Sequence, residues 1–231
     1  MSTQTTPRPG TGIAAVLFDL DGTLVTTHID FAAMRAGVLA VVTDVGVPAE
    51  DVAGLDILGS VGYATAWVRA REGEAAAAAL ARRAEAAMVE AELRGLEGAG
   101  PAPFAGEVLA ALAERGIGTA IVTRNCRRVT EAVLALAGLS CPVILTRDDG
   151  QRHKPDPAPL HAALARLRVP PAAAVMVGDH TMDIIAGRAA GTHTVGLLLP
   201  DRPPDYFAAV APDLVVSDLR GLLPFVLGTP D

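Results

Sequence analysis

Apolar and polar residues follow two patterns along this chain of 231 residues. Short apolar runs rich in β-branched residues predict buried strands, whereas apolar positions three and four residues apart predict helices. The predicted strands are residues 13–18, 118–122, 142–145, 173–177, 194–199 and 213–216. From residue 102 onward strands and helices alternate, which indicates parallel βαβ units in a doubly wound, Rossmann-like sheet of the α/β class.

The stretch between the first two strands shows only the helical pattern. Helices are predicted from Asp30, which is placed to act as an N-cap, to about Gly46, and then at 50–58, 63–71 and 74–94. Gly59 is expected to end the second of them. Residues 26–101 are therefore predicted to form a small all-helical cap domain inserted after the first strand, while residues 1–25 and 102–231 form the α/β core.

Helices of the predicted core end at glycines and prolines. They are expected at 107–115, over the stripe Val129, Val133 and Leu136, over the stripe Leu160, Leu164 and Leu167, at 182–190, and from about Leu219. Asn125 is predicted to cap the helix that follows the second strand.

Composition narrows the function classes. The net charge is −7 and no basic block occurs, so we expect no nucleic-acid partner. Two cysteines make no disulfide framework, and a reduced cytoplasmic setting is the simplest interpretation. No run of 18 apolar residues predicts a membrane span, and Met1 to Gly12 is expected to be a tail rather than a signal peptide.

Two carboxylates follow the first predicted strand. Asp19 and Asp21 are two positions apart, so in an extended chain they point to the same side. They are expected to lie close enough to share a cation or a proton, because two adjacent ionised carboxylates repel each other. Gly22 allows a sharp turn at this point.

Polar residues also follow the other predicted core strands. They are Thr123, Arg124 and Asn125 after the second strand, Lys154 after the third, and Asp179 with Asp183 after the fourth. Each alone is often a turn, cap or solvated residue, but the carboxyl ends of parallel strands share one edge of a sheet, where ligands bind. Lys154 is the one lysine of the chain, so its position favours a compact ammonium or reflects composition alone.

These side chains suit phosphoryl transfer. Asp19, Asp21 and Asp179 offer the oxygen ligands that Mg²⁺ prefers, and a carboxylate can attack phosphorus. Lys154 and Thr123 fit the developing negative charge of a phosphoryl group. Gly22, Thr23 and Asn125 add donors near loop and helix starts, where anions bind well.

The chain resembles the haloacid dehalogenase-like hydrolase superfamily in four motifs, over about residues 13–220. The motifs are Asp19-Leu20-Asp21-Gly22-Thr23, Thr123, Lys154-Pro155-Asp156-Pro157, and Gly178-Asp179 followed by Asp183. The order and spacing are most similar to phosphatases with a helical cap, such as the phosphoglycolate phosphatase-like proteins. The resemblance implies a Mg²⁺-dependent phosphatase acting on a small phosphorylated metabolite, as a monomer or homodimer.

The resemblance also implies a role for each motif residue. Asp19 is the nucleophile and a Mg²⁺ ligand, and Asp21 protonates the leaving oxygen, then activates water, and binds Mg²⁺ through its backbone carbonyl. The remaining roles are Thr123 and Lys154 on the phosphoryl oxygens, Asp179 on Mg²⁺, and Asp183 in support of Asp179.

Other interpretations stay open. A sugar-phosphate mutase of the same fold is the enzymatic alternative, and a non-catalytic binding or regulatory protein is the other. The resemblance excludes a dehalogenase, which lacks the second carboxylate, and a phosphonate hydrolase, which needs a cap lysine. Thr26 replaces the usual Asp of the branch, although Thr27 keeps the hydroxyl. Arg124 is either a contact for a second acidic group of the substrate or a solvated loop residue.

Overall fold

The computed structural model describes residues 12–228. The tail predicted from Met1 to Gly12 lies outside these residues, except for Gly12 itself. The elements are β1 Ala15–Phe18, β2 Val25–Thr26, α1 Phe31–Asp44, α2 Ala49–Val52, α3 Ile57–Glu72, α4 Glu74–Arg94, β3 Gly100–Pro101, α5 Ala105–Glu114, β4 Gly118–Val122, α6 Arg127–Ala137, β5 Val143–Leu145, α7 Ala158–Leu167, β6 Ala174–Gly178, α8 Thr181–Ala190, β7 His193–Leu197, β8 Leu214–Val216 and α9 Leu222–Leu227. Among the helices of residues 12–228, none is both long and apolar enough to cross a membrane.

The main sheet confirms the predicted α/β class. Its 6 strands run in the order β5-β4-β1-β6-β7-β8, and every neighbouring pair is parallel. Strand β1 lies at the centre, with Ala15 opposite Gly118 on one side and Ala174 on the other. All four residues of β1 and all five of β6 are buried, as expected for strands of a parallel sheet that is covered on both faces.

Helices between the strands pack against the main sheet and contribute to its apolar core. Leu160 and Leu164 of α7 share an apolar cluster with Leu17 of β1 and Met176 of β6. Their spacing of four residues places them on one face of α7, so the stripe seen in the sequence is the packed face. The bounds of β4 are those predicted, and the ends of the other strands differ from the predicted ones by at most two residues.

Residues 28–98 form a second compact unit, and residues 12–27 with 99–228 form the first. The second unit contains α1 to α4 and has its own apolar core, which includes Met34, Val38, Val42, Val68, Leu80 and Met88. Asp30 caps α1 as expected, since its Oδ1 accepts a hydrogen bond of 2.8 Å from the Ala33 amide. The role of this unit as a cap over a site stays a prediction.

The predicted bounds of the helices at 50–58 and 63–71 are wrong. The structure has a single turn, α2, followed by one long helix, α3, which runs through Gly59. The Asp56 carboxylate accepts from the Gly59 amide at 2.7 Å, so Gly59 lies in the first turn of α3 instead of ending a helix.

A small antiparallel ribbon was not expected from the sequence. Thr26 of β2 pairs with Gly100 of β3, inside the stretch for which only helices were predicted. Strands of two residues are too short to show an alternating pattern, so only the structure reveals them. The ribbon belongs to the first unit and joins the chain leaving β1 to the chain entering α5.

Candidate active site

Polar side chains lie at the carboxyl edge of the main sheet. Asp19, Thr123 and Asp179 are each the first residue after a strand, namely β1, β4 and β6. The three strands are adjacent and parallel, and the Asp19 amide continues the ladder by donating to the Val177 carbonyl at 2.9 Å. The topology therefore brings these three positions to one edge, as predicted from the sequence.

Lys154 bridges two of the carboxylates. Its Nζ lies 2.7 Å from Asp19 Oδ1 and 2.7 Å from Asp183 Oδ1, and its side chain is only 1% exposed. Burial alone lowers the pKa of an ammonium, but the negative charges of Asp183 and Asp19 outweigh it and raise the pKa of Lys154. The lysine is therefore a charged, fixed group inside the site.

Three carboxylates form an acidic cluster. One oxygen from each of Asp19, Asp179 and Asp183 lies within 4.8 Å of the others. The sequence predicted a set made of Asp19, Asp21 and Asp179. In the structure, Asp183 belongs to the cluster and the Asp21 side chain lies outside it. Asp183 enters because its position in the first turn of α8 faces the end of β1.

Electrostatics in the cluster favour a bound cation. Burial, followed by repulsion from Asp19 and Asp183, raises the pKa of Asp179 to about 7, and burial with the charge of Asp19 raises the pKa of Asp183 to about 7. Three carboxylates beside one ammonium leave two negative charges unbalanced when all are ionised. A set of hard oxygen donors with that excess fits a divalent cation such as Mg²⁺.

Two glycines allow the chain to pass close to these carboxylates. A Cβ atom on Gly22, whose φ is +73°, would meet Asp179 Oδ2 at 2.6 Å, and a Cβ on Gly178 would overlap the Asp183 carboxylate. The neighbouring Thr23 hydroxyl donates to Asp179 Oδ1 at 3.4 Å. Glycine at position 22 therefore meets both a backbone and a space requirement.

Asp21 belongs to a separate hydrogen-bonded group. Its Oδ1 accepts from the Thr27 hydroxyl at 2.8 Å, and its Oδ2 accepts from the Asn125 side-chain amide at 2.6 Å. Both carboxylate oxygens are therefore held in place by donors. The Asp21 side chain thus lies outside the acidic cluster, and a cation shared by the Asp19 and Asp21 side chains stays a prediction.

The predicted cap at Asn125 is also wrong. The N-cap of α6 is Cys126, and the first amide of the helix, on Arg127, donates to Asp148 Oδ2 at 2.8 Å. Asn125 lies one residue before this N-cap, and its side-chain amide donates to Asp21.

The loop that carries Lys154 is anchored to the sheet by Asp149. Its Oδ2 accepts from the Thr146 amide and hydroxyl at 2.8 Å each and from Arg127 Nη2 at 2.6 Å. Although burial acts in the opposite direction, these donors lower the pKa of Asp149 to about 2. Arg147, which is 7% exposed, donates to the Arg124 carbonyl at 2.9 Å and ties the two loops together.

Thr123 and Arg124 occupy different environments. Thr123 is buried, and its Oγ1 accepts from the Asn125 amide at 3.1 Å. Arg124 is half-buried, and its Nη1 contacts Met182 Sδ at 3.2 Å. Arg124 is therefore not a fully solvated loop residue.

The sequence analysis missed two residues at this edge. Thr27 contacts Asp21 directly, and the retained hydroxyl beside Thr26 was the signal that pointed to it. His180 is the N-cap of α8, and its Nδ1 accepts from the Met182 amide at 3.2 Å, so the ring proton of the neutral form lies on Nε2. Burial, then the positive charges of Arg202 and Arg124, lower the pKa of His180.

Comparisons with known proteins agree with this architecture. The family model of haloacid dehalogenase-like hydrolases matches residues 13–191. Pyrophosphatase PpaX of Bacillus pumilus is 38% identical over 122 residues, which are 52% of this chain and 56% of that protein. The chain thus spans about half the length of the curated relatives it matches.

Solved structures share the fold. A hydrolase from Pseudomonas syringae aligns with a TM-score of 0.66 at 23% identity, over 91% of this chain and 95% of that one. A HAD family hydrolase from Deinococcus radiodurans, solved with bound phosphate and sodium, aligns with a TM-score of 0.60 at 26% identity, over 93% and 95% of the two chains. Since the family match covers most of the chain, this protein belongs to the haloacid dehalogenase-like hydrolase family.

Proposed function

We propose that this protein is a Mg²⁺-dependent phosphatase that hydrolyses a small phosphomonoester through an aspartyl-phosphate on Asp19. The observation that carries the proposal is the buried ion pair of Lys154 with Asp19 and Asp183 at the edge of the sheet, beside Asp179. The phosphatase names among the curated relatives and the structural neighbours support the same reaction class.

The geometry of Asp19 suits a nucleophile. Its Oδ1 accepts from the Leu20 amide at 2.7 Å and from Lys154 Nζ at 2.7 Å, so this oxygen is fixed. Its Oδ2 accepts no hydrogen bond from the residues that the structure describes, and 16% of the side chain is exposed. One oxygen orients the carboxylate while the other is available to attack phosphorus.

Asp21 is the proton carrier in this proposal. Asp19 Oδ2 forms a bond to phosphorus while the bond from phosphorus to the leaving oxygen breaks, and Asp21 gives its proton to that oxygen. Asp21 then takes a proton from the water that attacks phosphorus, and the Asp19 carboxylate leaves. Thr27 and Asn125 hold the Asp21 carboxylate in one orientation for both transfers.

Mg²⁺ would be held by Asp19 and Asp179 and by the Asp21 carbonyl, with Asp183 supporting Asp179. When bound, the ion offsets negative charge on the transferred phosphoryl group. Lys154 and the Thr123 hydroxyl are assigned to the phosphoryl oxygens, and donors at Gly22, Thr23 and Asn125 complete the anion site.

We assign substrate selection to the helical unit of residues 28–98, which corresponds to the helical cap of the phosphatases that this chain resembles. The expected substrate is a small phosphorylated metabolite, and the expected location is the cytoplasm. Pyrophosphate belongs in any substrate panel, because it is the substrate named for the curated relatives.

A substrate screen tests the proposal. Purified protein is incubated with a panel of phosphomonoesters and pyrophosphate, with and without Mg²⁺, and released phosphate is measured. We expect release only with the metal and none from Asp19→Asn. β-Glucose 1-phosphate is included because an isomerised product would indicate a mutase. No turnover across the panel would favour a non-catalytic binding protein.

A further inference from the structure

Cationic and hydrogen-bond-donating side chains surround the start of α8, next to Asp179. Arg124 Nη1 contacts Met182 Sδ at 3.2 Å, and the Met182 amide donates to His180 Nδ1 at 3.2 Å. Because Nδ1 accepts this bond, His180 Nε2 carries the proton and is a donor. Arg124, which follows β4, and His180, the N-cap of α8, thus both lie at the N-terminal end of α8, beside the proposed phosphoryl site.

The loop after β7 brings a second guanidinium to this place. The His180 ring contacts the Tyr206 ring edge to face, with centroids 6.2 Å apart. Arg202 lies over the other ring of this pair, with Cζ 4.9 Å from the Tyr206 centroid. A continuous row of contacts therefore runs from Arg124 through Met182, His180 and Tyr206 to Arg202.

Arg202 is not neutralised by the protein. It is exposed, and in the part of the chain that the structure describes it makes no ion pair with any carboxylate. Stacking on Tyr206 limits its conformations without using its hydrogen-bond donors. An arginine held in this way at a ligand-binding edge is available for a bidentate contact with an anion.

We propose that Arg124, His180 and Arg202 form a second anion-binding subsite, which takes a second acidic group of the phosphorylated substrate. This rests on the proposed phosphatase function, and it names the substrate class as phosphate esters or anhydrides that carry a further carboxylate or phosphate. The subsite lies wholly within the first unit, so it adds a source of specificity that is independent of the helical unit.

Three small substrates separate the possible second groups. Ethyl phosphate carries no second acid, carboxymethyl phosphate carries a carboxylate, and pyrophosphate carries a phosphate. For wild type we expect kcat/KM to be higher for one or both of the acidic substrates than for ethyl phosphate. In Arg202→Gln this ratio is expected to fall by roughly fivefold or more, since a charge-assisted contact at an exposed site is lost.

Arg115→Gln is the matched control, because it removes the same charge from an exposed residue just before the start of β4, at the opposite edge of the sheet. We expect the wild-type ratio in this variant. Equal ratios in wild type, Arg202→Gln and Arg115→Gln would overturn the subsite while leaving the phosphatase proposal intact. The substrate that loses most identifies the second group as carboxylate or phosphate.

A binding measurement makes the test independent of turnover. Calorimetry of Asp19→Asn with Mg²⁺ is expected to show tighter binding of an acidic substrate than of ethyl phosphate, with the difference reduced when Arg202→Gln is added. If wild type hydrolyses nothing yet this preference is seen, the phosphatase function fails and the subsite stands. Equal affinities for all three compounds would overturn the subsite.

Discussion

The Thr27 hydroxyl donates a hydrogen bond of 2.8 Å to Asp21 Oδ1, and Thr27 is the last residue of the first unit before the helical unit begins at His28. The carboxylate proposed to carry the proton is thus fixed by a side chain at the junction of the two units. The Asn125 amide holds the other oxygen at 2.6 Å.

Loss of this hydroxyl should slow the chemical step. In Thr27→Val one donor to Asp21 is removed at nearly constant volume, and we expect kcat to fall roughly tenfold, which corresponds to about 1.4 kcal/mol. Thr27→Ser restores the hydroxyl and should recover most of the rate. Thr26→Val is the control, because Thr26 is exposed; equal rates in Thr27→Val and this control would show that Thr27 does not position Asp21.

Replacing Lys154 should damage both stability and activity. Lys154→Met leaves the buried carboxylate of Asp183 and the partly buried carboxylate of Asp19 without a cation, and we expect the free energy of unfolding to fall by about 3–5 kcal/mol in urea titrations. Lys154→Arg should not restore turnover, since a guanidinium does not fit a site built around a compact ammonium. Full activity in Lys154→Arg would contradict the assigned role.

A comparison of two glycines separates backbone strain from crowding of the acidic cluster. Gly22 has φ +73° and Gly116 has φ +68°, but a Cβ on Gly116 meets no atom within 4 Å whereas one on Gly22 meets Asp179 Oδ2 at 2.6 Å. Backbone strain should cost each Gly→Ala variant about 1 kcal/mol of stability, and the clash with Asp179 adds to this cost in Gly22→Ala. Only Gly22→Ala is expected to lose Mg²⁺-dependent activity. Activity loss in both variants alike would assign the effect to strain.

Mg²⁺ should stabilise the protein more at pH 8 than at pH 5. Without metal the pKa of Asp179 and of Asp183 is raised to about 7 from 3.8, so the folded state holds more protons between these values and its stability falls as the pH rises through them. Mg²⁺ must displace those protons at pH 5 but not at pH 8. Melting temperatures with and without Mg²⁺ test this.

Asp179→Asn is the control for that experiment, because it removes one titrating ligand while keeping its size. The difference between the two pH values should shrink in this variant. An equal Mg²⁺ effect at pH 5 and pH 8 in the wild type would contradict binding at the acidic cluster.

The sequence predicts the sheet well because buried parallel strands are continuous apolar runs, and β4 was predicted with the bounds Gly118–Val122 that the structure shows. In a parallel sheet the carboxyl ends of the strands lie at one edge, which is why Asp19, Thr123 and Asp179 could be predicted to lie together. Side-chain direction does not follow from topology. Asp21 binds Thr27, six residues further on, and Asn125, while Asp183 binds Lys154. Asn125 and Lys154 lie on distant segments, so the sequence gives no signal for these two contacts.

The contacts that link Arg202, Tyr206 and His180 were the least predictable part of the site. Arg202 lies in a loop with no periodic pattern, and its closeness to His180 depends on Tyr206, which follows several residues later. Spacing along the chain gives no signal for such contacts. Only the fold of the loop after β7 reveals them.

The central claim is that Asp19 becomes phosphorylated. It is tested most directly by acid-quenching Asp21→Asn during turnover of a phosphoester with a good leaving group, p-nitrophenyl phosphate, and then measuring peptide masses. Slow loss of the phosphoryl group in this variant should let one phosphoryl group accumulate on the peptide that contains Asp19, and the added change Asp19→Asn should abolish it. An unmodified peptide, together with phosphate release by Asp19→Asn alone, would contradict the proposed mechanism.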